Sequence, residues 1–306
     1  MAPAFVIGCP ANKSGVPITG YCGKSFLWTT PTNTDNCGPV TQVVTNDKSV
    51  SIQDLGGVSQ GDFPVGVTTV TYTITDGSGN STTCTFTVTV TDAEAPAASC
   101  PANLAVTTSP GLCVSNVTFT ATATDNCSGQ TVACVPASGS AFAKGVTTVV
   151  CTATDASGNT NICAFTVTVT DAEAPVASCP ANLAVTTSPG LCTSNVTFSA
   201  TATDNCPGQT VACVPASGTS FAKGVTTVVC VATDASGNTN ACSFTVTVQP
   251  SPLALHLSPF VFGCGDNVSC FGADDGSIQA QVRGGCQPYT FLWSTGDTSA
   301  YLSGLP

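Results

Sequence analysis

The stretches Cys163-Ala-Phe-Thr-Val-Thr-Val169 and Val117-Thr-Phe-Thr-Ala-Thr-Ala-Thr124 alternate larger apolar or small residues with threonine or alanine along their whole length. A period of two puts every second side chain on one face of an extended chain, so each stretch reads as a strand with one buried face. Shorter strands follow at Leu104 to Thr107, Val132 to Val135 and Val146 to Thr154, separated by Ser-Pro-Gly, Ser-Gly and Asp155-Ala-Ser-Gly-Asn159 turn clusters. No helical periodicity interrupts them.

Asp92 to Thr170 matches Asp171 to Gln249 with a period of 79 residues and ten differences, which defines a tandem array. A longer, divergent first copy carries the same landmarks at Cys9-Pro-Ala-Asn12, Asp35-Asn-Cys37, Phe63-Pro-Val-Gly66, Asp76-Gly-Ser-Gly-Asn80 and Cys84-Thr-Phe-Thr-Val88, with eleven extra residues between Cys37 and Phe63. About six or seven strands in so short a unit describe an immunoglobulin-like β-sandwich. The expected architecture is all-β: repeats over residues 1–91, 92–170 and 171–249, then a linker and a truncated β repeat over 250–306. Thr91-Asp-Ala-Glu-Ala-Pro96 and Thr170-Asp-Ala-Glu-Ala-Pro175 break the alternation and end in proline, so the joints are short and stiff and an extended rod is expected. Pro250-Ser-Pro252 and Ser258-Pro259 read as the linker into the last module.

The 306 residues hold 19 cysteines but only 8% charged side chains, against roughly 25% in an ordinary soluble domain. Cysteine at that density, in no zinc-like spacing, points to disulfides and an extracellular or cell-surface location. A net charge of −11 with Arg283 as the one arginine leaves no basic patch for nucleic acid. No apolar run reaches the roughly 18 residues of a membrane helix, so no membrane insertion is expected. Met1-Ala-Pro-Ala-Phe-Val6 lacks the basic start of a secretory signal, which implies a mature or excised piece.

The recurring Cys-Pro, Asp-Asn-Cys, Phe-x-x-Gly-Val-Thr-Thr-Val, Thr-Asp-x-Ser-Gly-Asn and Cys-x-Phe-Thr-Val-Thr-Val elements resemble the hyalin repeat, an immunoglobulin-like module of extracellular and cell-surface proteins. Cys270-Phe-Gly-Ala-Asp-Asp-Gly-Ser-Ile278, Gly284-Gly-Cys-Gln-Pro-Tyr289 and Leu292-Trp-Ser-Thr-Gly296 resemble the repeat of SprB-type gliding-motility adhesins of bacteria. Together the resemblances imply a very long surface or secreted protein whose modules are spacers or adhesive units.

Copy one lacks two cysteines of the other copies and has Val44 and Tyr72 in their places, as the joint loss of a bonded pair would leave. This assigns Cys134–Cys151 and Cys213–Cys230. The resemblance to hyalin repeats implies Cys9–Cys84, Cys100–Cys163 and Cys179–Cys242, first strand to last. What then remains within each copy is Cys22–Cys37, Cys113–Cys127 and Cys192–Cys206. That last set requires the chain to turn back, since fourteen residues of straight strand would span about 46 Å. The odd cysteine falls in the last module, with its partner expected beyond Pro306.

The scarce acids gather at turns. In an immunoglobulin-like topology the linker into a domain, the loop after its second strand and the loop before its last strand meet at one end. Copy two has Asp92, Glu94, Asp125, Asn126, Asp155 and Asn159 there, and copy three has Asp171, Glu173, Asp204, Asn205, Asp234 and Asn238. Convergent carboxylate and amide oxygens suit Ca²⁺; equally, Asp and Asn cap tight turns through their own side chains. Both readings stay open.

The lone His256 beside Leu255 and Leu257 completes no catalytic or metal constellation, so no enzyme is expected. Trp28 and Trp293 lie in strand patterns and are expected in cores. The Thr- and Ser-rich outward faces read either as lateral contacts or as O-glycan carriers; the sequons at Asn12, Asn80, Asn116, Asn126, Asn195 and Asn267 add little in a bacterial chain. The leading reading is a structural and adhesive segment of a long bacterial surface or filament protein. Its partners would be other copies of itself, other surface proteins or glycans. The competing reading is a passive stalk for a ligand-binding or catalytic domain outside this sequence.

Overall fold

The computed structural model describes residues 2–36, 38–188, 190–260 and 275–305. Every regular element among them is a β-strand. Two compact units emerge, one of residues 1–106 with 114–169 and one of residues 107–113 with 170–306.

In the second unit, repeat 3 is built on one long hairpin. Gly224–Thr233 and Thr239–Gln249 pair in unbroken register from Gly224↔Val248 to Thr233↔Thr239. The connecting Asp234-Ala-Ser-Gly237 turn closes with Asp234 N donating to Asn238 O, and it requires glycine at 237, where φ is +89°. Thr210–Val214 adds antiparallel at one edge and Leu183–Thr186 adds parallel at the other. Two short ribbons complete the repeat, Val176–Ser178 with Thr201–Thr203 and Thr193–Asn195 with Ser220–Ala222. Inward phases of these strands meet in one core of Val196, Phe221, Val228, Cys230, Phe244, Val246 and Val248, with Phe198 edge-on to Phe244 at 4.9 Å. Each such Val or Phe contributes about 1.5–3 kcal/mol by leaving water.

In the first unit, repeat 2 repeats this core around Val117, Phe142, Val149, Cys151, Phe165, Val167 and Val169. The single strand expected over residues 117–124 is instead a crossing between ribbons. Val114–Asn116 pairs with Ala141–Ala143, and Thr122–Thr124 pairs with Ala97–Ser99. Between them the Ser138 hydroxyl stands in for a strand: it accepts from Phe119 N at 2.9 Å and donates to Phe119 O at 2.7 Å. The alternation survives as alternating burial without a ladder.

Repeat 1 keeps the hairpin, Gly66–Thr75 with Ser81–Val90, and its extra residues supply Ile52–Asp54 to a three-stranded sheet with Val58–Pro64 and Gly23–Thr29. Val44 stands opposite Tyr72 in the register that sets Cys134 opposite Cys151 and Cys213 opposite Cys230. The buried Tyr72 hydroxyl accepts from Trp28 Nε1 at 2.9 Å and meets Ser59 Oγ at 2.9 Å.

Among the described residues, five disulfides close within repeats: Cys9–Cys84, Cys100–Cys163, Cys179–Cys242, Cys134–Cys151 and Cys213–Cys230. The remaining expected set does not form. Cys22 bonds to Cys127 rather than Cys37, Cys113 bonds to Cys206 rather than Cys127, and Cys192 is not bonded to Cys206. Cys37 itself lies outside the described residues. The reason is the missing reversal: between Cys192 and Cys206 the chain runs from the Thr193–Asn195 ribbon straight on to the Thr201–Thr203 ribbon.

Beyond repeat 3, Ala254–Pro259, Gly276–Arg283 and Tyr301–Leu305 form a three-stranded antiparallel sheet in the second unit. Part of the expected linker is therefore a strand, held by its pairing with Gly276–Arg283. Pro250-Ser-Pro252 is docked, Ser251 N donating to Thr187 Oγ1 at 3.0 Å. Trp28 is buried in the repeat 1 core, whereas Trp293 is half-buried and donates its indole N–H to Ser299 O at 2.8 Å.

Candidate functional site

The acidic clusters and the repeat-to-repeat disulfides occur together. In the first unit, the turn Asp155-Ala-Ser-Gly-Asn159 is capped by its own aspartate. Asp155 Oδ1 accepts from Ser157 N and Asn159 N, and Oδ2 accepts from Asn159 Nδ2 at 2.8 Å. Burial pushes the Asp155 carboxyl up, but the Asn159 and Ser157 donors outweigh it and hold the carboxyl below the usual carboxylate range. Asn159 Nδ2 reaches on to Asp92 O at 3.3 Å, tying the turn to the linker.

Asp92, only 4% exposed, accepts from Glu94 N through Oδ1, and Asp125 accepts from Cys127 N through its own Oδ1. Asp92 Oδ2, Asp125 Oδ2 and Asn126 Oδ1 are buried without a hydrogen-bond partner. Carboxylate oxygens of Asp92 and Asp125 lie within 4.8 Å of one another. Cys127 shares that cluster but is spent in its bond to Cys22. Two carboxylates this close, one buried and one half-buried, with no donor on their buried outer oxygens, are costly without a compensating cation.

Repeat 1 completes the arrangement. Gly20 N donates to Glu94 Oε2 at 3.3 Å, Asn126 Nδ2 donates to Tyr21 O at 3.4 Å, and Cys22 is bonded to Cys127. Three consecutive residues of repeat 1 thus grip the linker and the Asp-Asn-Cys loop of repeat 2.

The second unit builds the same constellation from residues 107–113 and repeat 3. Gly111 N donates to Glu173 Oε2 at 2.9 Å, Asn205 Nδ2 donates to Leu112 O at 3.0 Å, and Cys113 is bonded to Cys206. Asp234 caps its turn as Asp155 does, and its carboxyl is likewise held below the usual range, the Asn238 and Ser236 donors outweighing burial. Asn238 Nδ2 also donates to Asp171 O and Glu173 O. Asp171 accepts from Glu173 N, Thr108 Oγ1 and Ser236 Oγ, whereas Asp204 Oδ2 and Asn205 Oδ1 are buried without a partner. Carboxylate oxygens of Asp171, Asp204 and Asp234 lie within 4.8 Å of one another.

The twelve candidate residues therefore do converge, six in each unit, but they divide by role. Asp155 and Asp234 cap their turns, Asn159 and Asn238 tie those turns to the linkers, and Glu94 and Glu173 accept from backbone amides of the preceding repeat. The oxygens left over belong to Asp92, Asp125 and Asn126, and to Asp204 and Asn205. Sequence reading missed Gly20, Tyr21, Gly111 and Leu112, and gave Cys22 and Cys113 partners within their own copies. Their signal is the constant offset of Cys22 and Cys113 from the Cys-Pro cysteine. Among the described residues His256 is exposed on its strand, opposite Gln281.

The HYR domain family model matches residues 1–90, 91–169 and 170–248, and the SprB repeat model matches residues 266–298. Hyalin of Strongylocentrotus purpuratus is 34% identical over 82% of this chain, and Hyalin of Lytechinus variegatus 29% identical over 81%. The alignment spans 20% of the first protein's length and 46% of the second's. Among solved structures, a three-domain titin fragment (I67–I69) covers 81% of the chain at 10% identity and a TM-score of 0.34, and mouse Cadherin-23 EC22-24 covers 81% at 14% identity and a TM-score of 0.34. At those scores the fold rests on the strand pairing itself. No helix among the described residues is long and apolar enough to cross a membrane. The seven disulfides among the described residues and these family matches make the chain extracellular or surface-exposed. The chain belongs to the HYR domain family, as three tandem hyalin-like repeats with bonds running from one repeat to the next.

Proposed function

We propose that the chain is a stapled, calcium-stiffened segment of a long bacterial surface or filament protein, which carries tension and presents adhesive faces. The observation that carries this reading is the bond from each hyalin-like repeat to the next, Cys22–Cys127 and Cys113–Cys206. A flexible string of domains has no use for a second covalent tie beside a linker as short as residues 91–96. Within each repeat, Cys9–Cys84, Cys100–Cys163 or Cys179–Cys242 joins the first strand to the last. Tension passing along the chain crosses those bridges and bypasses the residues between them.

Calcium is the cation that the leftover oxygens fit. Asp92, Asp125 and Asn126 offer hard oxygen donors beside a linker, and Ca²⁺ takes six to eight of these with tolerant geometry. Bound there, it would neutralise the facing carboxylates and lock the linker to the loop. The SprB match supports a bacterial setting.

The outward strand faces support lateral contact. Val135 and Val150 stand opposite one another and are 74% and 40% exposed, and Val214 and Val229 do the same in repeat 3. Other copies of the chain are the partners such apolar, nearly uncharged faces fit. No catalytic role is proposed. Electron microscopy of native material tests the reading: ordered filaments with a regular axial repeat are expected, and isolated flexible chains would overturn it.

A further inference from the structure

Cys22, Cys113 and Cys192 are the same position in successive repeats, each thirteen residues after the Cys-Pro cysteine. The first two are bonded forward, to the Asp-Asn-Cys loop of the following repeat. Cys192 has no such loop ahead of it, because a different module follows repeat 3. That module nevertheless delivers a cysteine to it. Gly190 forms a parallel bridge with Cys286, Cys286 Sγ donates to Leu191 O at 3.8 Å, and Cys192 Sγ donates to Gln287 O at 4.0 Å.

Leu191 O is the counterpart of Leu112 O, which in the joint ahead accepts from Asn205, the neighbour of the bonded Cys206. The separation from Cys192 to Cys286 is 94 residues, against 93 for Cys113–Cys206. A side-chain hydrogen bond with Cys286, then burial, pushes the Cys192 thiol up. The odd cysteine was expected somewhere in the last module, with its partner beyond Pro306; Cys286 of that module instead lies beside Leu191 and Cys192.

We infer that Cys192 and Cys286 form a third forward staple, so that the covalent pattern of the hyalin-like array continues into the SprB-like module. The bond forms by thiol–disulfide exchange with a disulfide-carrying oxidoreductase or small-molecule disulfide. Two S–H bonds break, one S–S bond forms, and the oxidant's disulfide is reduced to two thiols that take up the two protons. The staple holds the last module against the Gly190–Cys192 loop, as the loops at Cys22 and Cys113 are held.

Maleimide labelling of the full native chain before and after reduction, read by mass spectrometry, tests this. Neither Cys192 nor Cys286 is expected to label until reductant is added. In Cys286→Ser, Cys192 is expected to label without reductant while Cys113 and Cys206 stay protected. Labelling of both thiols in the unreduced native chain would overturn the inference, as would a Cys192 that stays protected in C286S.

Discussion

Cys113 and Cys206 are 93 residues apart in sequence and are joined directly, with their Cα atoms 4.8 Å apart. The same relationship holds for Cys22 and Cys127 across 105 residues. These bonds make the repeat a poor unit of covalent structure, because each reaches into the next.

Cutting a linker should therefore fail to separate its neighbours. A specific protease site placed in residues 91–96 and cleaved to completion is expected to leave one band on a non-reducing gel and two after reduction. Two bands without reductant would show that Cys22 and Cys127 are not bonded.

Under force, the oxidised chain should yield little length. Each bridge of the Cys100–Cys163 type shields a loop of 63 residues. At about 3.3–3.6 Å per residue, reduction should add roughly 200 Å of contour per unfolding repeat. Single-molecule pulling in the presence and absence of reductant measures this.

Calcium should raise the melting temperature, and chelator should reverse it. At a hundredfold excess over Kd the linkage is worth about 2.7 kcal/mol. Asp125→Asn is expected to blunt the calcium response without destabilising the calcium-free protein, since it removes one of two facing carboxylates. Equal calcium responses in parent and variant would count against the site.

The capped turns set an acid limit. Asp155 and Asp234 are held below the usual carboxylate range in the fold, so their contribution is fully present above about pH 3.9 and is lost as pH falls through the lower folded value. Asp155→Asn should be less stable than the parent at neutral pH, and the gap should close as pH drops through that range. Urea titrations at several pH values check it.

Tyr72→Phe should destabilise repeat 1 by about 1–3 kcal/mol, because Trp28 Nε1 and Ser59 Oγ lose a buried partner. An unchanged urea midpoint would contradict this.

Much of the fold is legible in the residues themselves. Period-two alternation marks the long hairpins, and the exchange of Cys134 and Cys151 for Val44 and Tyr72 reports a cross-strand pair that shares one register. The forward bonds were hidden, since position within a repeat looks the same whether a cysteine pairs inside its own copy or in the next. The physical clue is the unbroken alternation from Val117 to Ala123, which leaves no reversal to bring Cys113 back to Cys127. The acidic cluster was legible as a cluster, but its division into turn caps and leftover oxygens depends on backbone amides such as Gly20 and Gly111 that no residue type announces.

Peptide mapping of the unreduced, thiol-blocked protein tests the central claim most directly. Cross-linked peptides joining Cys22 to Cys127 and Cys113 to Cys206 are the expected result. A peptide in which Cys113 is bonded to Cys127, or Cys22 to Cys37, would contradict it.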